Sequence, residues 1–151
     1  NYEAGVALHV RSGEGDPLVT DDQDKRWFPT GDVSNIDSDG YMQITDRSKD
    51  VIKSGGEWIS SVELENELAA HPAVRTATVI GVPDDKWQER PLICVATRPG
   101  STITLERVRK HLEASGFARW QLPDRIEVME AIPRTGVGKF DKRALRNRFE
   151  S

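Results

Sequence analysis

Two short runs, TATVIGV at 76–82 and LICVAT at 92–97, most constrain what this chain can fold into. They are β-rich, bounded by turn formers, and too short for helices, so they read as strands. The segment between them, PDDKWQERP, reads as a loop with a proline at each end. Upstream, Val51-Ile52-Lys53 starts a strand that Ser54-Gly55-Gly56 breaks. Ser60 followed by Glu63 makes a capping box, which satisfies free N–H groups at a helix start. Val62, Leu64, Leu68 and Ala69 then share an apolar face, and His71-Pro72 stops the helix. Thr104 caps a second helix, with Leu105, Val108 and Leu112 at helical spacing and Gly116 as its stop. RIEVM at 125–129 reads as a strand, and Asp141 caps a last helix carrying Leu145 and Phe149. From about residue 51 the order is strand, helix, strand, strand, helix, strand, short helix. That order predicts an α+β fold, a small mixed sheet flanked by helices.

The first 45 or so residues differ. Residues 12–26 are polar, acidic and rich in turn formers, and read as a loop. Asp39-Gly40 is a hairpin signal between Val33/Ile36 and Tyr41/Ile44. Few residues there can build a core. DRSKD at 46–50 reads as a charged joint.

With 151 residues the chain suits one core, or one compact domain plus a piece of another. Hydrophobic residues at 36% and charged residues at 30% give a soluble balance on the polar side. A net charge of −4 gives no argument for nucleic acid as a partner. The single cysteine, Cys94, lies in an apolar run and cannot form an internal disulfide, so a reducing, cytoplasmic compartment is expected. No apolar run reaches membrane-spanning length, and no signal peptide is expected. His9, His71 and His111 lack metal-ligand spacing and are assigned to structure.

Several short motifs have both a plain and a functional reading. In PRTGVGKFDK, Lys139 follows Gly136-Val137-Gly138 and precedes Phe140. A phosphate-binding P-loop needs a glycine where Pro133 stands and Ser or Thr where Phe140 stands, so that reading fails. What remains is a solvated turn lysine, or a lysine presented to a carboxylate or phosphate whose charge grows during reaction. Thr30-Gly31-Asp32 is either a turn before the hairpin or a carboxylate for vicinal hydroxyls, as acidic residues bind ribose. Lys53-Ser54-Gly55-Gly56-Glu57 is a β-turn, or a backbone made bare enough to approach a thin ligand. Trp87 and Trp120 are rim residues, or platforms for a base.

Taken in order, WFPTGD, DGYMQITDRSKDVIKSGGEWIS and PRTGVGKFDKRAL resemble the C-terminal part of the adenylate-forming acyl-CoA synthetases, over about residues 14–151. SKDVIKSGGEWISSVELEN and LPDRIEVMEAIPRTGVGKFDKRALR look most like medium- and long-chain fatty acyl-CoA ligases. The resemblance implies two half-reactions. A carboxylate attacks the α-phosphate of ATP, giving acyl-adenylate and pyrophosphate; coenzyme A then takes the acyl group and AMP leaves. A small C-terminal lid rotates between them. On this resemblance Lys139 is the adenylation lysine, Asp32 and Arg47 hold the ribose, and Lys49 is the hinge. Ser54, Gly55, Gly56 and Glu57 line the pantetheine passage, and Trp87 and Trp120 are available to the adenine of coenzyme A. Many relatives carry basic residues for the coenzyme A phosphates where Gln121, Leu122 and Asp124 stand here, leaving Arg119 and Arg125.

The resemblance also divides the chain. Residues 1–48 correspond to the tail of a large N-terminal domain and 49–151 to the lid. The ATP phosphate loop, the acyl pocket and most Mg2+ contacts belong to that large domain, so the 151 residues are expected to be an inactive fragment. Residues 1–25 are expected to be poorly ordered, and the surface that faces the large domain to favour self-association. Two other readings stand: a stand-alone module binding coenzyme A or a carrier protein, and an adenylating enzyme that delivers to a carrier-protein thiol.

Overall fold

A computed structural model describes residues 2–6, 19–20, 22–36, 38–47 and 50–150. The expectation about residues 1–25 and the hinge assignment at Lys49 therefore fall largely or wholly outside the described residues. The chain divides into two compact units, Asn1–Lys49 and Asp50–Ser151.

In the first unit the long strand β3 (Arg26–Ile36) is central. It pairs antiparallel with β1 (Tyr2–Val6), β2 (Val19–Thr20) and β4 (Met42–Arg47). The turn to β4 carries Gly40 at φ 85°, a conformation that glycine adopts without penalty. The expected Asp39-Gly40 hairpin is thus present. Thr30-Gly31-Asp32 is not a turn, however; it runs inside β3. The β1 register shifts across this stretch, from Glu3 opposite Val33 to Gly5 opposite Pro29, and within it Asp32 alone pairs with β4, opposite Arg47.

The second unit opens with β5 (Ile52–Ser54) and β6 (Glu57–Ile59), joined through Gly55-Gly56. Both glycines have positive φ, 59° and 84°, as a two-residue type I′ hairpin requires. Helix α1 (Ser61–Ala69) follows, with the serine half of the expected capping box: Ser60 Oγ accepts from Glu63 N at 3.2 Å. Strands β7 (Val74–Asp84) and β8 (Gln88–Thr97) pair along their whole length. The loop expected at 83–91 is therefore only a tight hairpin tip. Pro83 lies in the edge strand, where proline is tolerated. Helix α2 (Leu105–Ala114) is capped by Thr104, whose Oγ1 accepts from Arg107 N, and Gly116 at φ 97° follows its end. A 3-10 turn (Arg119–Gln121) leads to β9 (Arg125–Val128), which pairs parallel to β8. Helix α3 (Lys142–Phe149) is capped by Asp141, which accepts from Ala144 N at 3.0 Å. The sheet order is β6-β5-β8-β7, with β9 beside β8. It is mixed and flanked by helices, as expected.

Alternation along β7 and β8 explains why both were almost continuously apolar. Ala77, Val79, Ile93 and Val95 face a core shared with Leu64, Leu68, Val108 and Leu112 of α1 and α2. Ile80, Leu92 and Cys94 face the other way, against Ile132 and Leu145 of α3. A strand covered on both faces needs no polar positions. Burial, with Glu127 nearby, pushes the Cys94 thiol up to about 12, so it stays protonated. One carboxylate oxygen, Glu65 Oε1, ties three elements together. It accepts from Thr78 Oγ1 at 2.8 Å, Val79 N at 2.9 Å and Lys142 Nζ at 2.8 Å. One N–H of edge strand β7, that of Val79, is thereby satisfied and α3 is anchored to α1. Among the described residues no helix is long and apolar enough to cross a membrane.

Two predictions test this packing. Leu112→Ala, at a fully buried position, should cost about 2–5 kcal/mol in urea unfolding. His71 is buried and its Nδ1 accepts from Ala73 N at 3.1 Å, so it is neutral in the fold. Burial, and then the charges of His111 and Arg107, hold it below its ordinary 6.5. The unfolded chain binds the extra proton, so the stability that His71 contributes is present above pH 6.5 and lost as pH falls below it. The urea midpoint should drop between pH 7.5 and 5.5, and by less in His71→Asn, which retains an acceptor.

Candidate functional site

Two features of the second unit look outward. The first is a cleft of about 220 Å³ lined by Ser54, Gly55, Glu57, Trp87, Arg90, Trp120 and Asp124. Three turns build it. At the β7–β8 tip, Asp84 Oδ1 accepts from Lys86 N at 2.9 Å and Trp87 N at 2.8 Å. Gln88 closes this tip at φ 73°. Trp87 O then accepts from Gly55 N at 2.7 Å, which joins this tip to the glycine turn. The Trp87 ring lies over Gly55 so closely that a Cβ there would stand 2.7 Å from Cε3. At Gly56 a Cβ would meet nothing within 4 Å. Trp87 and Trp120 remain 44% and 45% exposed, which is large for tryptophan and leaves ring surface available to a ligand.

Arg90 holds the cleft together. It is a buried cation, and each of its five N–H groups has an acceptor. Nε donates to Asp124 Oδ2 at 2.6 Å and Nη2 to Asp124 Oδ1 at 3.2 Å. Nη2 also donates to Leu122 O at 2.8 Å. Nη1 donates to Trp120 O at 2.8 Å and to Ser54 Oγ at 2.9 Å. The Arg90 charge is therefore neutralised inside the wall.

The second feature is the hairpin that carries Lys139. Backbone bonds close this turn. Arg134 and Phe140 form a bridge, Thr135 N donates to Lys139 O at 2.7 Å, and Asp141 N donates to Pro133 O at 2.8 Å. Gly138, at φ 83°, makes the turn possible. The Arg134 guanidinium lies 4.4 Å from the Phe140 ring centroid and donates to Gly138 O at 2.8 Å. The Lys139 side chain is exposed and has no partner among the described residues. Phe140 packs into the α3-side core, and no residue of the hairpin lines the cleft.

The structure brings five of the expected residues, Ser54, Gly55, Glu57, Trp87 and Trp120, into one cleft. Ser54 is buried, and its hydroxyl accepts from Arg90 rather than facing outward. Gly56 completes the turn but does not line the cavity. Lys139 is elsewhere. In the first unit Asp32 and Arg47 are direct cross-strand partners of β3 and β4. Of the arginines left for phosphates, Arg125 is paired with Glu127 at 2.6 Å, and Arg119 lies 3.6 Å from Glu113 with its side chain 93% exposed. Arg90 escaped the sequence reading. Its only local signal is a charge set directly against the apolar run PLICVA. Among the described residues there is no metal-binding cluster.

Residues 63–139 match the family described as AMP-binding enzyme C-terminal domain. The chain belongs to that family. It is 54% identical, over 83% of its length, to a long-chain-fatty-acid–CoA ligase of Thermus thermophilus, of which it covers 23%. It is 51% identical, over 88% of its length, to a 3-methylmercaptopropionyl-CoA ligase of Ruegeria pomeroyi, of which it covers 24%. Among solved structures, ATP-bound MatB from Rhodopseudomonas palustris superposes with a TM-score of 0.77 at 31% identity, covering 87% of this chain and 26% of that one. The chain thus spans about a quarter of the length of the proteins it matches.

The glycine turn gives a direct test of the cleft. Gly55→Ala must adopt a left-handed backbone and also displace the Trp87 ring, whereas Gly56→Ala meets only the backbone strain. Gly55→Ala should lower the urea midpoint further than Gly56→Ala, and it alone should shift tryptophan emission.

Proposed function

We propose that this chain is the C-terminal lid, with an adjoining piece of the large domain, of an AMP-forming acyl-CoA ligase acting on a fatty acid. The observation that carries the reading is a pair of separate outward features on one unit. One is an exposed, unpaired ammonium and the other a tryptophan-walled glycine cleft. A body that must serve two half-reactions at one centre needs two such features.

In adenylation Lys139 bridges the carboxylate and α-phosphate oxygens, offsetting the negative charge that gathers as the acid attacks. The hairpin holds the backbone on either side of it, so the ammonium is presented by a fixed support. In thioester formation the cleft takes the pantetheine arm. Gly55 and Gly56 keep side chains out of the path, and Trp87 and Trp120 offer apolar walls, with their faces available to the adenine. Asp32 accepts from the ribose hydroxyls, and Arg47, its neighbour across the strands, assists there. Lys49, between the two units, is the hinge, a role that asks only for a backbone able to absorb a φ/ψ change. The acyl pocket, the phosphate loop and most contacts to Mg2+ lie in the rest of the large domain.

Half-reaction assays on the full-length enzyme test this directly. Lys139→Ala should slow acid-dependent ATP–pyrophosphate exchange about 100- to 1000-fold while sparing thioester formation from preformed acyl-adenylate. Equal loss in both half-reactions would refute the assignment. The 151 residues by themselves should form no acyl-CoA in a coupled assay. Calorimetry should show weak binding of coenzyme A and of AMP, whereas tight binding of either would favour a stand-alone module.

A further inference from the structure

We propose that Arg90 is a positioning residue that sets the width of the cleft by fixing the glycine turn and Trp120 at one spacing. The proposal rests on reading the cleft as the passage for the thiol arm. The division of its five N–H groups carries it. Pairing with Asp124 uses Nε and one N–H of Nη2. Charge neutralisation alone would need nothing more. The two N–H groups of Nη1 go to opposite walls, one to Ser54 Oγ, directly before Gly55, and one to Trp120 O. The remaining Nη2 N–H goes to Leu122 O, which roots the Trp120 segment in the core.

The linkage continues through the backbone. Gly55 N donates to Trp87 O, so both tryptophans and the glycine turn form one bonded series with Arg90 at its centre. Arg90 lines the cavity, yet it has no donor left for a phosphate. Its influence on a bound thiol arm therefore passes through the groups it holds. A planar fork can span three segments at once, whereas an ammonium is a point charge on a flexible stem and cannot. Retaining the charge should not retain the function.

Two variants test this: Arg90→Lys keeps the charge, and Ser54→Ala removes one wall contact. In the 151-residue chain, both should shift the Gly55 amide and the Trp87 and Trp120 indole N–H signals in 1H–15N spectra, while α2 amides stay in place. In the full-length ligase, both should raise KM for coenzyme A about ten-fold or more, the scale that small misplacements produce, with ATP–pyrophosphate exchange nearly unchanged. If Arg90→Lys does not fold, Ser54→Ala decides alone. Unmoved cleft signals, or a lowered melting temperature with wild-type KM and wild-type signals, overturn the brace. Shifted cleft signals with an unchanged KM for coenzyme A overturn the thiol-passage reading beneath it.

Discussion

A single guanidinium organises the outward face of this unit. Arg90 enters from the start of β8 and meets the end of β5 and the 3-10 segment before β9, which share no local sequence. Burying a cation is costly unless it is paired and fully hydrogen-bonded. Asp124 supplies the countercharge, and two carbonyls and one hydroxyl take the remaining donors. Nothing in that set is optional: each acceptor lost would leave a buried N–H without a partner. The three segments are therefore held in one arrangement, and the cleft is the space left between them.

The sheet behind them gives the unit its two-sidedness. Because side chains alternate along β7 and β8, one pair of strands supports two separate cores. The larger seats α1 and α2. The smaller seats α3 and Phe140, beside the exposed Lys139. Glu65 then joins the two sides by accepting from β7 and from Lys142 of α3. The two cores are thereby tied into one body.

Local signals in the sequence proved dependable where the physics is local. Ser60, Thr104 and Asp141 each cap the helix they were expected to cap. A cap bond spans three residues and competes with nothing distant. The long loop expected at 83–91 fails for the opposite reason. Its prolines and charges argue for a turn, but pairing along all of β7 and β8 keeps them extended. Strand β6 has three residues, too few to show any period. Within the site, the glycines and both tryptophans were legible as oddities of composition. Trp87 lying over Gly55 was not, because that contact depends on where two hairpin tips meet.

Sequence by itself determined the main strands and the three capped helices of the second unit, the glycine turn and, through the succession of motifs, the family. Those are set by bonds within a few residues or by patterns along one element. Only the tertiary structure decided that Arg90 reaches Ser54, thirty-six residues away, and that the Lys139 hairpin stands apart from the cleft. Such meetings are fixed by strand register and by which face of the sheet each side chain takes, and a linear pattern of residue types does not encode either.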